Sequence, residues 1–353
     1  MNPRLVEEND YIEFLLAAQG AFGCVEASRS QPEAMKSVAH DAYTRLLTRR
    51  PLDPGALWDE AQIVGGQALL EGGLLVLDDT TLDKPYAQNM ALVSRHWSGK
   101  HHRVVSGINL LSLVWTQLPA PAPAPAPCPA PAPCPVIPLD FRVYDVNADA
   151  NGQHFTKNDF FRLMVSAAKA RGLRPRYVAF DSWYAGLENL KHLRHEGFDF
   201  LTRFKANRRV NPAHQGLVEV SRLTVPEEGQ VVWLKGFGLV RLFQHTNAKG
   251  EVEQWATSDL DMTGAAWRQW ATACWGIESY HRGLKQCCGI ERAQVRGATG
   301  QKNHLLLALR AFLRLEARRL QTGISWYESK LAPLRQAIQL LRTHTHWSLS
   351  PTA

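Results

Sequence analysis

Two runs that are apolar at every position, Leu74-Leu75-Val76-Leu77 and Tyr177-Val178-Ala179-Phe180, interrupt the mixed pattern of the chain, and each is followed at once by an acid, Asp78 and Asp181. A run that does not alternate fits a strand buried on both faces, as in a sheet flanked by helices. Residues 104–115 are rich in Val, Ile and Leu, and residues 136–146 alternate Ile137, Leu139, Phe141 and Val143, which predicts two further strands. Residues 158–171 predict a helix with Phe160, Phe161, Leu163, Met164 and Ala167 inward, stopped by Gly172 and followed by Pro175. A short helix over 187–195 and a strand over 198–204 follow. Strands alternating with helices predict an α/β class with a mixed sheet.

The flanks differ. Residues 1–70 predict helices, with Tyr11, Phe14, Leu15 and Leu16 on one apolar stretch and a break at 29–31. Residues 37–50 fit the second helix of a helix-turn-helix, with Thr44, Arg45, Thr48, Arg49 and Arg50 turned to phosphates, and fit equally a capping helix with solvated charges. Residues 119–135 repeat Pro and Ala and lack the backbone donors of a sheet ladder, so a stiff polyproline insert in a hairpin loop is expected. Residues 210–258, with Val218, Val220, Val231, Val232, Leu234, Val240 and Leu242 among Gly and polar residues, predict a β-rich insertion. Helices are expected over 262–289, 304–320 and 326–343, the last two carrying Arg310, Arg314, Arg318, Arg319, Arg335 and Arg342. The partition is 1–70 helical, 71–209 the first part of the α/β domain, 210–258 the insertion, 259–300 its continuation and 301–353 C-terminal helices.

Charge adds a direction. Lys and Arg number 40 against 33 acids, a net +7, which favours a polyanionic partner. No apolar run approaches the roughly 20 residues of a membrane helix, so a soluble, cytoplasmic protein is expected. The six cysteines show neither C-x-x-C pairs nor His partners at zinc spacing, and buried or incidental thiols are expected.

Acids at the carboxyl ends of two strands lie where α/β folds take their ligands. Two such carboxylates repel unless a cation bridges them, and magnesium, with its preference for oxygen, suits the task. A third acid, Glu278, lies in the expected helix. At about 100° per residue Trp275, Arg282 and Lys285 share its face, while Ile277, Tyr280, Leu284, Cys287 and Cys288 gather opposite. A surface helix with a Glu278–Arg282 i,i+4 pair accounts for that window alone; the succession of strand acid, strand acid and helix acid makes the joint reading. Asp78 and Asp79 project to opposite faces of a strand, so one of them is the main ligand.

At Asp78-Asp79-Thr80, Asp181-Ser182-Trp183-Tyr184 and Ile277-Glu278-x-Tyr280-His281-Arg282-x-Leu284-Lys285-Gln286 the chain resembles a bacterial insertion-sequence transposase of the DDE class, in the branch related to insertion-sequence family four. The resemblance implies a ribonuclease-H-like fold with a β insertion before the catalytic Glu. Asp78, in an Asp-x-Thr context, is the first ligand it implies, with Asp79 as fallback. The branch signature Tyr-x2-Arg-x3-Glu-x6-Lys finds Glu278 and Lys285 in its last two positions, but Ala271 and Cys274 where Tyr and Arg stand, with Arg268, Trp275 and Arg282 as substitutes.

By the same resemblance, Asp78, Asp181 and Glu278 hold two Mg2+ ions, or Mn2+, one activating water or a 3′ hydroxyl and the other stabilising the leaving oxygen. The activity implied is cleavage at element ends and joining to target DNA, by a homodimer on paired ends of double-stranded DNA in the bacterial cytoplasm at the nucleoid. Lys285 and Arg282 would hold phosphates, with Arg45, Arg49, Lys205, Arg208, Arg292 and Arg296 as further DNA contacts. Trp183 is expected to pack beneath the site in preference to stacking on a base. A silent DNA-binding descendant and a nuclease that does not join strands are the rival expectations.

Overall fold

The computed structural model describes residues 5–20, 22–32, 38–99, 101–118, 134–146, 155–213, 216–247 and 250–344. The expected Pro-Ala insert therefore lies outside the described residues but for Cys134 and Pro135. In chain order the elements are helices α1 (Glu8–Ala17), α2 (Cys24–Arg29), α3 (His40–Thr48) and α4 (Gly55–Gly65), then strands β1 (Leu74–Asp83), β2 (Ser94–Ser98), β3 (Arg103–Thr116) and β4 (Ile137–Tyr144). Next come α5 (Lys157–Ala170), β5 (Tyr177–Phe180), α6 (Leu187–Glu196), β6 (Phe200–Phe204), β7 (Arg209–Val210), β8 (Val218–Glu219), β9 (Gln230–Leu234), β10 (Gly238–Thr246) and β11 (Val252–Thr257). The chain closes with α7 (Gly264–Cys274), α8 (Gly276–Cys287), α9 (Ala298–Thr322) and α10 (Trp326–His344). Two compact units result, Met1–Leu52 with Arg282–Ala353, and Asp53–His281.

The larger unit is built on a mixed sheet of order β2-β3-β1-β5-β6-β11-β10-β9, with β4 also on β3. β1 runs antiparallel to β3 and parallel to β5, and β5 runs parallel to β6. Two antiparallel neighbours followed by parallel ones is the ribonuclease-H-like arrangement expected, flanked by α4, α5 and α7 against β4, β3 and β1. The fully apolar runs take the centre: Leu74 to Leu77 and Tyr177 to Phe180 are all buried. Within residues 210–258, β11 pairs antiparallel with β6 and carries β10 and β9 outward on this sheet, while β8 pairs with β7 in a separate two-stranded ladder.

Local chemistry sets the ends of α5. Thr156 caps its start, accepting from the Asp159 N–H at 3.2 Å while Asp159 accepts from the Thr156 N–H at 2.8 Å. Gly172, at φ +82°, ends it in the left-handed region. The inward face is Phe161, Met164, Val165 and Ala168, and Leu163 turns outward, contrary to expectation, because it falls off the stripe those four define.

Two boundaries also differ from expectation. β1 does not stop at the acids but continues through both to Asp83, because β3 keeps pairing with it across ten registered positions. The single helix expected over 262–289 is two, α7 and α8, parted at Trp275-Gly276, where a glycine lowers the cost of breaking the helix.

In the smaller unit α9 is the axis, against which α1 and α3 pack. Among its buried polar groups Arg310 pairs with Glu8, and Arg319 with Glu316, which also accepts from Trp326 Nε1 at 2.7 Å. Arg310 and Arg319, noted in the sequence only among the many basic residues of the last two helices, are thus interior ion pairs. Tyr11 and His304 share a buried hydrogen bond of 3.0 Å. Cys24, Cys274, Cys287 and Cys288 carry free thiols.

Candidate functional site

Strand register assembles the site. The parallel ladder of β1 and β5 ends at the pair Leu77↔Phe180, so the next residues on the two strands, Asp78 and Asp181, emerge side by side at the carboxyl edge of the sheet. Asp181 caps the turn after β5, accepting from the Ser182 N–H at 2.6 Å. Glu278 stands in the first turn of α8, where the helix dipole favours an acid. The three acids line one small cleft of about 70 Å3, with Arg203, Trp255, Cys274 and Trp275 among its other walls. That is room for a few waters or a hydrated ion.

The neighbouring carboxylates Asp78 and Asp79 have opposite fates. Asp78 is half-buried at the cleft and surrounded by protein, and its carboxyl is pushed well above the usual range, first by desolvation, then by the charges of Asp79, Asp181 and Glu278. It accepts from the Asp79 N–H at 2.8 Å. Asp79 does not line the cleft. Its oxygens accept from Asn109 at 2.6 Å, Lys157 at 2.8 Å and Tyr184 at 2.7 Å. Burial raises its pKa, but the Lys157 charge and these donors outweigh that and hold it below the usual value. A carboxylate already given three donors on the far side of the strand is poorly placed to take an ion; Asp78 is the one with charge left to neutralise.

On the opposite wall Arg203 of β6 donates to Asp181 at 3.3 Å and to Glu253 at 3.0 Å. Arg203, Glu253, Lys157 and Asn109 were not among the residues expected at the site, and Tyr184 entered only as part of the Asp181-Ser182-Trp183-Tyr184 motif. Arg203 carried a signal, a lone charged residue in an otherwise uncharged strand, Phe200-Leu201-Thr202-Arg203-Phe204.

The basic residues singled out from the sequence lie elsewhere than the cleft lining. Arg45 and Arg49 are exposed at the end of α3, and Arg292 and Arg296 are exposed in the segment before α9. Lys285 pairs with Glu291 at 3.2 Å, and Arg282 is exposed on α8. Lys205 is exposed after β6, and Arg208 lies over the Phe204 ring at 5.3 Å, its pKa pulled down by burial. Trp183 is 47% exposed rather than packed beneath the site; its ring meets Tyr184 edge-on and lies 5.5 Å from Lys157 Nζ.

As donors, three carboxylates suit a hard divalent ion. Among the described residues, however, no three His, Cys, Asp or Glu side chains stand close enough to grip an ion as they are, so a bound ion would have to draw them inward. No helix among the described residues is long and apolar enough to cross a membrane.

The family model described as DDE superfamily endonuclease matches residues 13–273. The matched segment includes Asp78 and Asp181 and ends before Glu278. No curated protein matches the chain. Among solved structures, the Drosophila P element transposase strand transfer complex is similar at 7% identity and a TM-score of 0.29, covering 99% of this chain and 77% of that one. So loose a superposition says nothing of this chain's chemistry.

Proposed function

The chain belongs to the DDE superfamily endonuclease family, and from that premise we propose that it is a DNA transposase, of the bacterial insertion-sequence type related to family four, which cuts at the ends of an element and joins them to target DNA. The observation that carries this reading is the strand register that sets Asp78 beside Asp181, with Glu278 on the same cleft. Asp78, Asp181 and Glu278 are the catalytic acids and would hold the Mg2+ or Mn2+ ions. The ions, when bound, supply a polarised nucleophile and a charge for the leaving oxygen.

The choice of Asp78 over Asp79 is supported by the donors that occupy Asp79. Lys157, Tyr184 and Asn109 are positioning residues: by fixing Asp79 they fix the peptide whose N–H meets Asp78. Lys285, Arg282, Arg45, Arg49, Lys205, Arg208, Arg292 and Arg296 are the proposed phosphate contacts, each a cation suited to backbone positioning rather than base readout. We read the N-terminal helices as DNA-binding and the active form as a homodimer on paired ends. The reading of a silent DNA-binding descendant draws on one observation, the pairing of Arg203 with Asp181.

Incubation with duplexes carrying the flanking element ends and Mg2+, followed by mapping of cleaved and joined strands, tests the proposal. Cuts at the element boundary and transfer of the freed 3′ end are expected. Cutting without transfer would favour a nuclease, and binding without cutting would favour the silent descendant.

A further inference from the structure

Among the described residues Arg203 is the one cation lining the acidic cleft, and its guanidinium is shared between two carboxylates. Nη2 lies 3.3 Å from Asp181 Oδ1, and Nη1 lies 3.0 Å from Glu253 Oε1. Glu253 is built to hold it. Glu253 is two residues before Trp255, the direct cross-strand partner of Arg203, so both side chains share one face of the β6–β11 ladder. The other oxygen of Glu253 is fixed by the Trp255 indole N–H at 3.1 Å, and the Trp255 ring lies 5.9 Å from the guanidinium. Glu253 is also the less exposed carboxylate, 18% against 43% for Asp181. Burial opposes the charge on Arg203, but Asp181, Glu253 and Glu278 all favour it, so the guanidinium feels the whole acidic wall.

We propose that Arg203 is the site's resident cation, which competes with a divalent ion for Asp181 and withdraws onto Glu253 when the ion binds, so that the Arg203–Glu253 pair sets the metal affinity. The inference rests on the reading of Asp181 as a metal ligand. Two cations at contact with one carboxylate repel each other, so the Arg203–Asp181 contact weakens ion binding and a bound ion weakens that contact. Glu253 makes the exchange reversible by offering the guanidinium a charged seat that it already touches. Neither residue needs to touch substrate for this: Arg203 acts on the ion through Asp181, and Glu253 acts through Arg203.

The test is Mn2+ binding to the full chain without DNA, followed by the electron paramagnetic resonance signal of free Mn2+. Arg203→Gln removes a unit charge at contact with a partly exposed carboxylate, and should tighten Mn2+ binding about tenfold. Glu253→Gln leaves Arg203 only Asp181 to pair with, and should weaken binding about threefold by the same reasoning. Arg203→Lys keeps the charge and should stay near wild type. The opposed signs separate competition from a structural role, which would weaken binding in both variants. Unchanged or weaker binding in Arg203→Gln, or a shift of the same sign in both variants, overturns the proposal. Should Arg203→Gln not fold, an unchanged or raised affinity in Glu253→Gln overturns it alone. Asp181→Asn separates the two claims: if it binds Mn2+ as wild type does, the ion site itself is wrong and the proposed chemistry fails with it. Lost binding in Asp181→Asn with no change in Arg203→Gln refutes only the part given to Arg203.

Discussion

Lys157→Met tests the division of labour between Asp78 and Asp79. Lys157 Nζ lies 2.8 Å from Asp79 Oδ2, and the two side chains are 19% and 21% exposed. Removing one partner of a fully buried ion pair costs about 3–5 kcal/mol, mainly because the other charge is left uncompensated. Here some solvent reaches the pair, and Tyr184 and Asn109 still donate to the carboxylate. We therefore expect a loss near the lower bound for a charged hydrogen bond, about 2 kcal/mol, from Lys157→Met. Asp79→Asn in the same chain removes the stranded charge, and should bring the double variant back to within about 1 kcal/mol of wild type. Urea denaturation of the four proteins of the cycle at pH 7, with Trp fluorescence as the probe, gives the coupling. A Lys157→Met loss under about 0.5 kcal/mol, the size of an ordinary surface change, would refute the reasoning, as would additive effects in the cycle.

Thr156→Ala should destabilise by about 1 kcal/mol through loss of the α5 cap. Hydrogen bonds from Thr156, and then the Arg162 guanidinium, hold Asp159 below its ordinary value of 3.8, so the stability it lends is present above that value and is lost as pH falls through the lower folded pKa. The gap between wild type and Thr156→Ala should therefore narrow below pH 3.8, and a gap that widens on acidification in thermal melts would contradict it. Gly283→Ala places a Cβ 2.8 Å from Phe312 Cε2 and 3.1 Å from Trp326 Cε3, and should cost about 1–3 kcal/mol by overpacking; a neutral result would show that these rings yield freely. Glu316→Ala strands the buried Arg319 and the Trp326 N–H, and a loss of about 3–5 kcal/mol in denaturant is expected, with a loss under about 1 kcal/mol against it.

The centre of the fold was legible because its physics is local. Strands apolar on both faces announced β1 and β5, and the acids that follow them announced the sheet edge. The α8 face was legible too: Ile277, Tyr280, Leu284 and Cys287 are buried, and Glu278, Arg282 and Trp275 are exposed, while Lys285 is half-buried beside Glu291. What depended on distant pairing was not legible. β1 runs past its acids because β3 pairs along its whole length, and nothing within 74–83 says so. Burial of Arg310 and Arg319 needs Glu8 and Glu316 as partners, one of them three hundred residues away in sequence. The ring of Asn109, Lys157 and Tyr184 around Asp79 comes from three elements, so no spacing could reveal it. Trp183 was expected inside on the general tendency of its residue type, but its place in the turn after β5 turns it outward.

The central claim is that Asp78, Asp181 and Glu278 act as one metal-binding set. Single-turnover cleavage of element-end duplexes in Mg2+ by Asp78→Ala, Asp181→Ala and Glu278→Ala, with binding to the same duplexes measured alongside, tests it most directly. The account predicts that each variant loses cleavage and keeps DNA binding largely intact. A Glu278→Ala protein that still cut the ends at near wild-type rate would contradict it.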